Sequence, residues 1–186
     1  MTKFDNFNAE DRIDIKLLEN HVYYLSGEIE NSNIDQCIKW IMYENLDSKE
    51  SKTLTLYINS PGGDLCSAFA LIDIMKSSTL PIRTIAIGSV MSAAFLIFAA
   101  GTKGERYVSK HTCLMCHQFS EITEGKYHDI IASIRGNEIC NQLMVNILSE
   151  ATGLTPAKVR SKLLPASDVY LTAAEAVKLN IADRIL

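Results

Sequence analysis

Apolar positions along the chain recur with two spacings, one of two residues and one of about 3.6 residues. The first predicts a β-strand in TLTLYIN (53–59), and the second predicts a helix in LCSAFALIDIMKSS (65–78). The two kinds of segment alternate with no linker, repeat or low-complexity tract. We therefore predict a single α/β domain over residues 1–186. Strands are predicted at 21–27, 53–59, 81–88, 106–109, 112–118 and 168–172, and helices at 33–46, 65–78, 93–100, 127–152, 155–164 and 173–180.

No residue between Arg83 and Lys103 is charged, and this stretch is long enough to resemble a membrane span. Gly88, Ser89 and Ser92 interrupt its apolar character, however. The β-rich beginning and the short apolar end favour a strand, a turn and a buried helix. We therefore do not expect the chain to associate with a membrane.

The helical pattern over 127–152 is longer than a domain of this size needs. It spans about 39 Å at 1.5 Å per residue, and its apolar residues fall on more than one face. A protruding helix that contacts another subunit accounts for the excess apolar surface. A long core helix with a kink near Gly136 is the alternative.

The charge distribution excludes some classes of partner. The formal net charge is −4, and the 18 Lys and Arg residues are scattered, so neither nucleic acid nor an anionic membrane is expected to bind. The beginning of the chain, MTKFDNFNAEDRID, has no apolar segment or cleavage site typical of a secretory signal. We therefore expect a cytoplasmic protein whose five cysteines form no disulfides.

The sequence TCLMCHQ (112–118) contains the Cys-x-x-Cys-His spacing of covalent haem attachment. Haem attachment of this kind requires export, which nothing in the sequence directs. The segment is also a predicted strand, in which Cys113 and Cys116 point to opposite faces and cannot bind one haem or metal together. We therefore expect no metal and no cofactor, and His117 is free for another role.

Two predicted strand-to-helix junctions could supply catalytic groups. NSPGGD (59–64) turns sharply at Pro61-Gly62-Gly63, and GSVMSAA (88–94) places Ser92 at the start of a helix. Taken singly, an ordinary turn and an N-capping serine explain them. Taken together, they place a hydroxyl nucleophile beside backbone N–H groups, which is the arrangement that acyl transfer requires.

A serine nucleophile needs a base and a group that orients the base. His117 lies in a strand that follows the Ser92 helix, whereas His21, His111 and His128 lie at the beginnings of elements where they are expected to face solvent. Asp168, before the strand VYLT, is the preferred carboxylate. Its rival is Asp183, which has Arg184 beside it, whereas Asp129 is interpreted as an acidic residue typical of the beginning of a helix. The order Ser, His, Asp differs from that of the α/β-hydrolases, chymotrypsin and subtilisin.

Several segments, in this order, resemble the proteolytic subunit of the caseinolytic (Clp) protease: LYINSPGGD, GSVMSAAFLIFAAGTKGERY, LMCHQ and DVYLTAAEAVKLNIAD. The resemblance extends from about Asp14 to the end of the chain. It implies the α/β fold that Clp proteases share with crotonases, built from repeated β-β-α units with a protruding "handle" helix. It also implies that Ser92 is the nucleophile, His117 the general base and Asp168 its orienting group, with the N–H groups of Gly63 and Ala93 as the oxyanion hole.

The resemblance further implies an assembly of two stacked heptameric rings. This 14-mer would receive unfolded proteins from a hexameric Clp ATPase and cleave them, or short peptides, in an enclosed chamber. Residues 1–13 would form a flexible N-terminal segment at the axial pore. The expected activity is that of an ATP-dependent serine endopeptidase.

The sequence departs from the family pattern near the expected site. Ala93-Ala94 replace a usual Met-Gly pair, FSEITEG (119–125) replaces a Pro followed by a Gly pair, and Val169 replaces a usual arginine. The segment before Asp168 is also slightly longer than usual. Two alternatives therefore stay open: a weakly active or structural subunit of a mixed ring, and, more remotely, a crotonase-like acyl-CoA enzyme.

Overall fold

The computed structural model describes residues 8–46 and 52–186, which form an alternating series of strands and helices. It belongs to the α/β class that the hydrophobic pattern predicts. The elements are α1 (Ala9–Glu19), β1 (Val22–Ser26), α2 (Asn31–Leu46), β2 (Leu54–Ser60), α3 (Leu65–Ser77), β3 (Ile82–Met91), α4 (Ala93–Ala99), β4 (Arg106–Val108), β5 (Cys113–Cys116), α5 (Tyr127–Thr152), α6 (Pro156–Lys162), β6 (Val169–Leu171), α7 (Ala173–Lys178) and β7 (Arg184–Ile185).

The strands form one sheet whose main path is β1-β2-β3-β4-β7, with parallel neighbours. Strand β3 is longer than predicted, because it continues through Gly88 to Met91. Its first half pairs with β4, and its second half pairs with β5. Strand β6 then joins β5 in the antiparallel direction. This fork places the end of β5 beside the end of β3.

The core lies between the sheet and helices α2, α3 and α4. Strand β2 buries every second side chain, beginning with Leu54, Leu56 and Ile58, as its period of two predicts. All seven residues of α4 are buried, which confirms the prediction of a strand, a turn and a buried helix in the uncharged stretch. Within the described residues, no helix is both long and apolar enough to cross a membrane.

Helix α1 is an element that the sequence analysis missed. Residues 9–13, predicted to be part of a flexible segment, form its first turns, and the prediction for residues 1–7 lies outside the described residues. Asn8 and Asp11 form a capping box, in which each side chain accepts a hydrogen bond from the backbone N–H of the other residue. None of the helix is buried. Its apolar residues Ile13, Ile15 and Leu17 alternate with polar ones, so a period of two competes with the helical spacing of Ile13 and Leu17.

Helix α5 extends beyond the packed core, in agreement with the protruding-helix interpretation. Its buried residues all lie in its last third: Met144, Val145, Leu148 and Thr152. Earlier along the helix, Ile130, Ile131, Ile134 and Ile139 are exposed. The helix is continuous through Gly136. Its contact with another subunit stays a prediction.

A buried ion pair connects the end of the chain to β4. The Arg106 side chain is 1% exposed, and its guanidinium donates to the Asp183 carboxylate at 2.7 and 3.0 Å. The backbone N–H groups of Gly104 and Arg106 donate to the same carboxylate. Burial alone raises the pKa of Asp183, but these hydrogen bonds outweigh it and lower the pKa below its ordinary value.

We expect Asp183→Ala to lower the free energy of unfolding by about 3–5 kcal/mol, because it leaves a buried guanidinium unpaired. Denaturant unfolding at neutral pH measures this change. Asp35→Ala, which removes an exposed ion pair with Lys39, is the matched control, with an expected loss of about 0.5 kcal/mol or less. Because the folded-state pKa of Asp183 is lowered, its stabilisation is complete above the unfolded-state value of about 3.9 and is lost as pH falls through the folded-state value. The destabilisation by Asp183→Ala should therefore shrink in acid, and equal losses for the two variants at pH 7 would contradict the prediction.

Candidate active site

Ser92 occupies a strained turn between β3 and α4. Its φ of 52° and ψ of −122° lie outside the regions that non-glycine residues ordinarily adopt. The backbone N–H of Ser92 donates to Met115 O at 2.9 Å, which fixes the turn to β5. The Ser92 hydroxyl does not cap α4, so the N-cap interpretation of this serine does not apply. The turn instead directs the hydroxyl away from its own helix.

His117 lies directly after β5 and contacts the serine. Met91 and Met115 are partners in the pairing of β3 with β5, so the residues that follow each strand emerge at the same edge of the sheet. The His117 Nε2 and Ser92 Oγ atoms are 2.8 Å apart, within hydrogen-bond distance. The structure thus brings together the serine and the histidine that the sequence analysis paired.

The Gly62-Gly63 turn passes very close to Ser92. Gly62 has a φ of 99°, and a Cβ atom there would lie 2.7 Å from Ser92 Cβ and 2.8 Å from Met91 O. The Gly62 N–H is held by the buried Ser60 hydroxyl at 3.1 Å, and Gly63 pairs with Ile29 in an isolated bridge. The turn could be predicted from NSPGGD, but the specific requirement for Gly62 could not. The glycine pair was its only signal.

The backbone N–H groups of Gly63 and Ala93, close to Ser92, have no acceptor among the described residues. Ala93 N lies at the start of α4, and it would be 3.2 Å from a Cβ atom on Gly62, so the glycine turn and the helix start are adjacent. Unpaired N–H groups of this kind can stabilise a developing oxyanion.

The serine and histidine line an open cleft of about 460 Å³. One wall is formed by the loop before α3 and its first residues, and the other by β5, the segment after it and α5. Apolar side chains in the lining include Leu65, Met115 and Met144. A cleft of this size can hold the side chains on either side of an extended peptide bond.

Asp168 does not contact His117. Cys116 and Val169 are partners in the antiparallel pairing of β5 with β6, so continuing the register sets Asp168 opposite His117. The Asp168 side chain is nevertheless exposed and has no hydrogen bond within the described part of the chain. Asp183, the alternative carboxylate, forms its ion pair with Arg106 rather than with its neighbour Arg184.

The remaining histidines lie outside the cleft. His111 and His128 are exposed, as expected. His21 does not simply face solvent, because its Nδ1 atom lies 3.0 Å from the buried carboxylate of Glu44. This contact forms because His21 follows α1, which sequence analysis missed, and adopts a positive φ.

The two cysteines of the Cys-x-x-Cys-His pattern point to opposite sides of β5, as predicted. Cys113 is exposed, whereas Cys116 is 1% exposed and burial raises its pKa to about 12. Among the described residues, no group of three or more His, Cys, Asp or Glu side chains is arranged to bind a metal ion.

Comparisons with known proteins agree with the geometry of the site. The model of the Clp protease family matches residues 7–186. The chain is 33% identical over 184 residues to the ATP-dependent Clp protease proteolytic subunit of Borreliella afzelii, an alignment that covers 96% of this chain and 90% of the relative. Its identity to proteolytic subunit 1 of Borreliella burgdorferi is also 33%, covering 96% and 92%.

The site therefore combines a serine at a strained turn, a histidine within hydrogen-bond distance and adjacent free N–H groups. With a family match over nearly its whole length, the chain belongs to the Clp protease family.

We expect Gly62→Ala to slow the reaction of Ser92 with a fluorophosphonate by about 10²-fold, because the new Cβ displaces the serine turn. Gly104→Ala is the matched control: its φ is 91°, similar to that of Gly62, but no atom lies within 4 Å of the added Cβ. Both variants carry the cost of a positive φ, and only Gly62→Ala also carries the clash. Equal labelling rates in the two folded variants would show that the close approach does not control Ser92.

Proposed function

We propose that this chain is the proteolytic subunit of an ATP-dependent Clp protease, a serine endopeptidase that hydrolyses peptide bonds of unfolded proteins. The observation that carries the proposal is the 2.8 Å contact between Ser92 and His117 in the cleft, close to the unpaired N–H groups of Gly63 and Ala93. The names of the relatives, which are Clp proteolytic subunits, support the same reaction. A crotonase-like acyl-CoA enzyme has no comparable support.

In the proposed mechanism, Ser92 Oγ attacks the scissile carbonyl carbon while His117 Nε2 accepts the hydroxyl proton. The N–H groups of Gly63 and Ala93 stabilise the negative charge that develops on the carbonyl oxygen. His117 then donates the proton to the leaving amine, and an acyl-enzyme remains on Ser92. Water, activated by the same histidine, hydrolyses this ester and restores the serine.

Asp168 is the proposed orienting group for His117. Its support is the register of β5 and β6, which sets it opposite the histidine, together with the occupation of Asp183 by Arg106. An orienting carboxylate accepts a hydrogen bond from the second ring nitrogen and fixes which nitrogen faces the serine. A rotation of the exposed Asp168 side chain is part of this proposal.

The proposed assembly consists of two stacked heptameric rings that enclose the sites. The exposed isoleucines of α5 support subunit contacts, because a protruding apolar helix face is costly to leave in water. A hexameric Clp ATPase would unfold substrates and pass them into the chamber in the cytoplasm. The proposed chemistry requires no cofactor and no metal.

A second candidate is a weakly active or structural subunit of a mixed ring. The observation that favours it is the missing contact between Asp168 and His117. In this case a paralogous chain would supply most of the activity.

A fluorophosphonate probe tests the nucleophile. We expect the probe to modify the wild-type chain at Ser92 and Ser92→Ala to lose both the adduct and peptide hydrolysis, by at least about 10³-fold. Ser89→Ala, which changes a serine three residues earlier on β3, is the control and should keep the adduct. An adduct that persists in Ser92→Ala would contradict the assignment.

Asp168→Asn separates the two candidates. If Asp168 orients His117, this variant should lower kcat by on the order of 10³- to 10⁴-fold in the assembled particle while the particle mass stays unchanged. Native mass spectrometry and peptide hydrolysis on the same sample measure both quantities. A wild-type 14-mer that binds the probe poorly, and whose residual activity is unaffected by Asp168→Asn, would favour the structural subunit.

A further inference from the structure

The walls of the cleft carry two carboxylates and no opposing cation. Asp64 and Glu121 both line it, from the beginning of α3 and from the segment after β5. Among the described residues that form the lining, none is a lysine or an arginine. Neither carboxylate forms an ion pair within the described part of the chain.

Glu121 is positioned by contacts with α5. The Phe119 N–H donates to Asn141 Oδ1 at 3.2 Å, which attaches the segment to the helix. With its amide oriented to satisfy both neighbours, Asn137 donates to Glu121 Oε2 at 2.8 Å and to Ser133 O at 3.1 Å. These bonds occupy one oxygen of the carboxylate and leave its charge unneutralised.

Asp64 is positioned from the opposite wall. Its Oδ1 atom accepts hydrogen bonds from the Ser67 backbone N–H at 2.7 Å and from the Ser67 hydroxyl at 2.6 Å. As the N-cap of α3, this carboxylate is fixed in place by the helix. The two anionic groups therefore belong to separate elements that face the same cleft.

The negative potential of both groups also reaches the thiol of Cys140 on α5. Cys140 lies one helical turn before Met144, which lines the cleft. Burial raises the pKa of the Cys140 thiol, and the Cys66 thiol and the carboxylates of Glu121 and Asp64 raise it further. That both carboxylates raise the pKa of one thiol agrees with their positions in the lining of the same cleft.

We propose that Glu121, together with Asp64, is a specificity-determining residue that selects peptides with a lysine or arginine side chain at or next to the cleaved bond. The apolar lining from Leu65, Met115 and Met144 would contact the aliphatic stem, and the two carboxylates would attract its cationic end. This inference rests on the proposed peptidase function of the same cleft, and it names the class of substrate.

Peptide kinetics test the selection directly. In fluorogenic tripeptide amides, lysine, glutamine or glutamate is placed in turn at each position, and kcat/KM is measured with the assembled wild-type particle. In at least one position the lysine peptide should exceed the glutamate peptide. Glu121→Gln should reduce that ratio by about two- to fivefold, as expected for a partly exposed charge pair. The ratio should also fall when ionic strength rises.

Glu124→Gln is the matched control, because Glu124 lies three residues further along the same segment and does not line the cleft. This variant should keep the wild-type ratio. A wild-type preference for glutamate, or an equal effect of Glu121→Gln and Glu124→Gln, would overturn the proposal.

A second measurement does not depend on peptidase activity. Cys66 is exposed and lines the cleft, whereas Cys113 is exposed on β5 outside the lining. Methanethiosulfonate reagents with a cationic or an anionic head group are reacted with the assembled wild-type chain, and peptide mass spectrometry gives the rate at each cysteine. The cation-to-anion rate ratio should be higher at Cys66 than at Cys113. Glu121→Gln should lower it about two- to fivefold at Cys66 only, and Glu124→Gln should leave it unchanged.

The two measurements separate failure of the substrate class from failure of the proposed function. A raised ratio at Cys66 without peptide hydrolysis would support the anionic cleft and contradict the peptidase. Peptide hydrolysis with equal ratios at the two cysteines would support the peptidase and overturn the role of Glu121.

Discussion

The strained turn at Ser92 is the constraint on which the rest of the site depends. A backbone with φ of 52° and ψ of −122° at a serine costs on the order of 1–3 kcal/mol, so the surrounding structure must hold it. The hydrogen bond to Met115 O fixes one side, and the fully buried helix α4 fixes the other. Gly62 completes the enclosure, because only a residue without a Cβ can pass so close to the turn. The core therefore holds the strained backbone of Ser92 in place, and the Ser92 side chain lines the cleft.

The periodic elements of the fold could be predicted because their pattern is local. Strand β2 buries every second residue and helix α4 buries all of its residues, so the hydrophobic pattern within each segment is enough to predict it. Helix α1 was missed because Ile13, Ile15 and Leu17 alternate with polar residues, which does not distinguish a helix from a strand over so short a stretch. The continuation of β3 past Gly88 was missed because glycine usually ends a strand, whereas here Asn59 Oδ1 accepts a hydrogen bond from the next residue, Ser89. A contact between residues that are distant in sequence, such as Asn59 and Ser89, does not appear in the hydrophobic pattern.

The candidate site divides in the same way. The proximity of Ser92 and His117 could be anticipated from strand order, and the structure brings them to 2.8 Å, while their catalytic roles remain a proposal. The pairing of Arg106 with Asp183 joins residues 77 positions apart, and no local signal indicates it. The position of Glu121 could not be predicted either, since its segment has no regular period and is held by hydrogen bonds to the distant helix α5. The side chains at the ends of strands, Ser92 and His117, could thus be brought together from the sequence, whereas the carboxylate of Glu121 could not be placed in the cleft.

The parts that would complete the proposed triad are weakly supported by the rest of the protomer. Strand β6 has three residues, none of them buried, and Tyr170 at its centre is 61% exposed. The first half of α5, which lies beyond the segment that carries Glu121, exposes a row of isoleucines. By contrast, Ser92 and the glycine turn are held by a closed core. Removing apolar surface from water is favourable, so subunit contacts on β6 and α5 would stabilise these two elements. Such contacts would not alter the turn at Ser92. In the proposed assembly, the elements that place Asp168 and Glu121 would depend on subunit contacts, whereas the turn at Ser92 is held within the protomer.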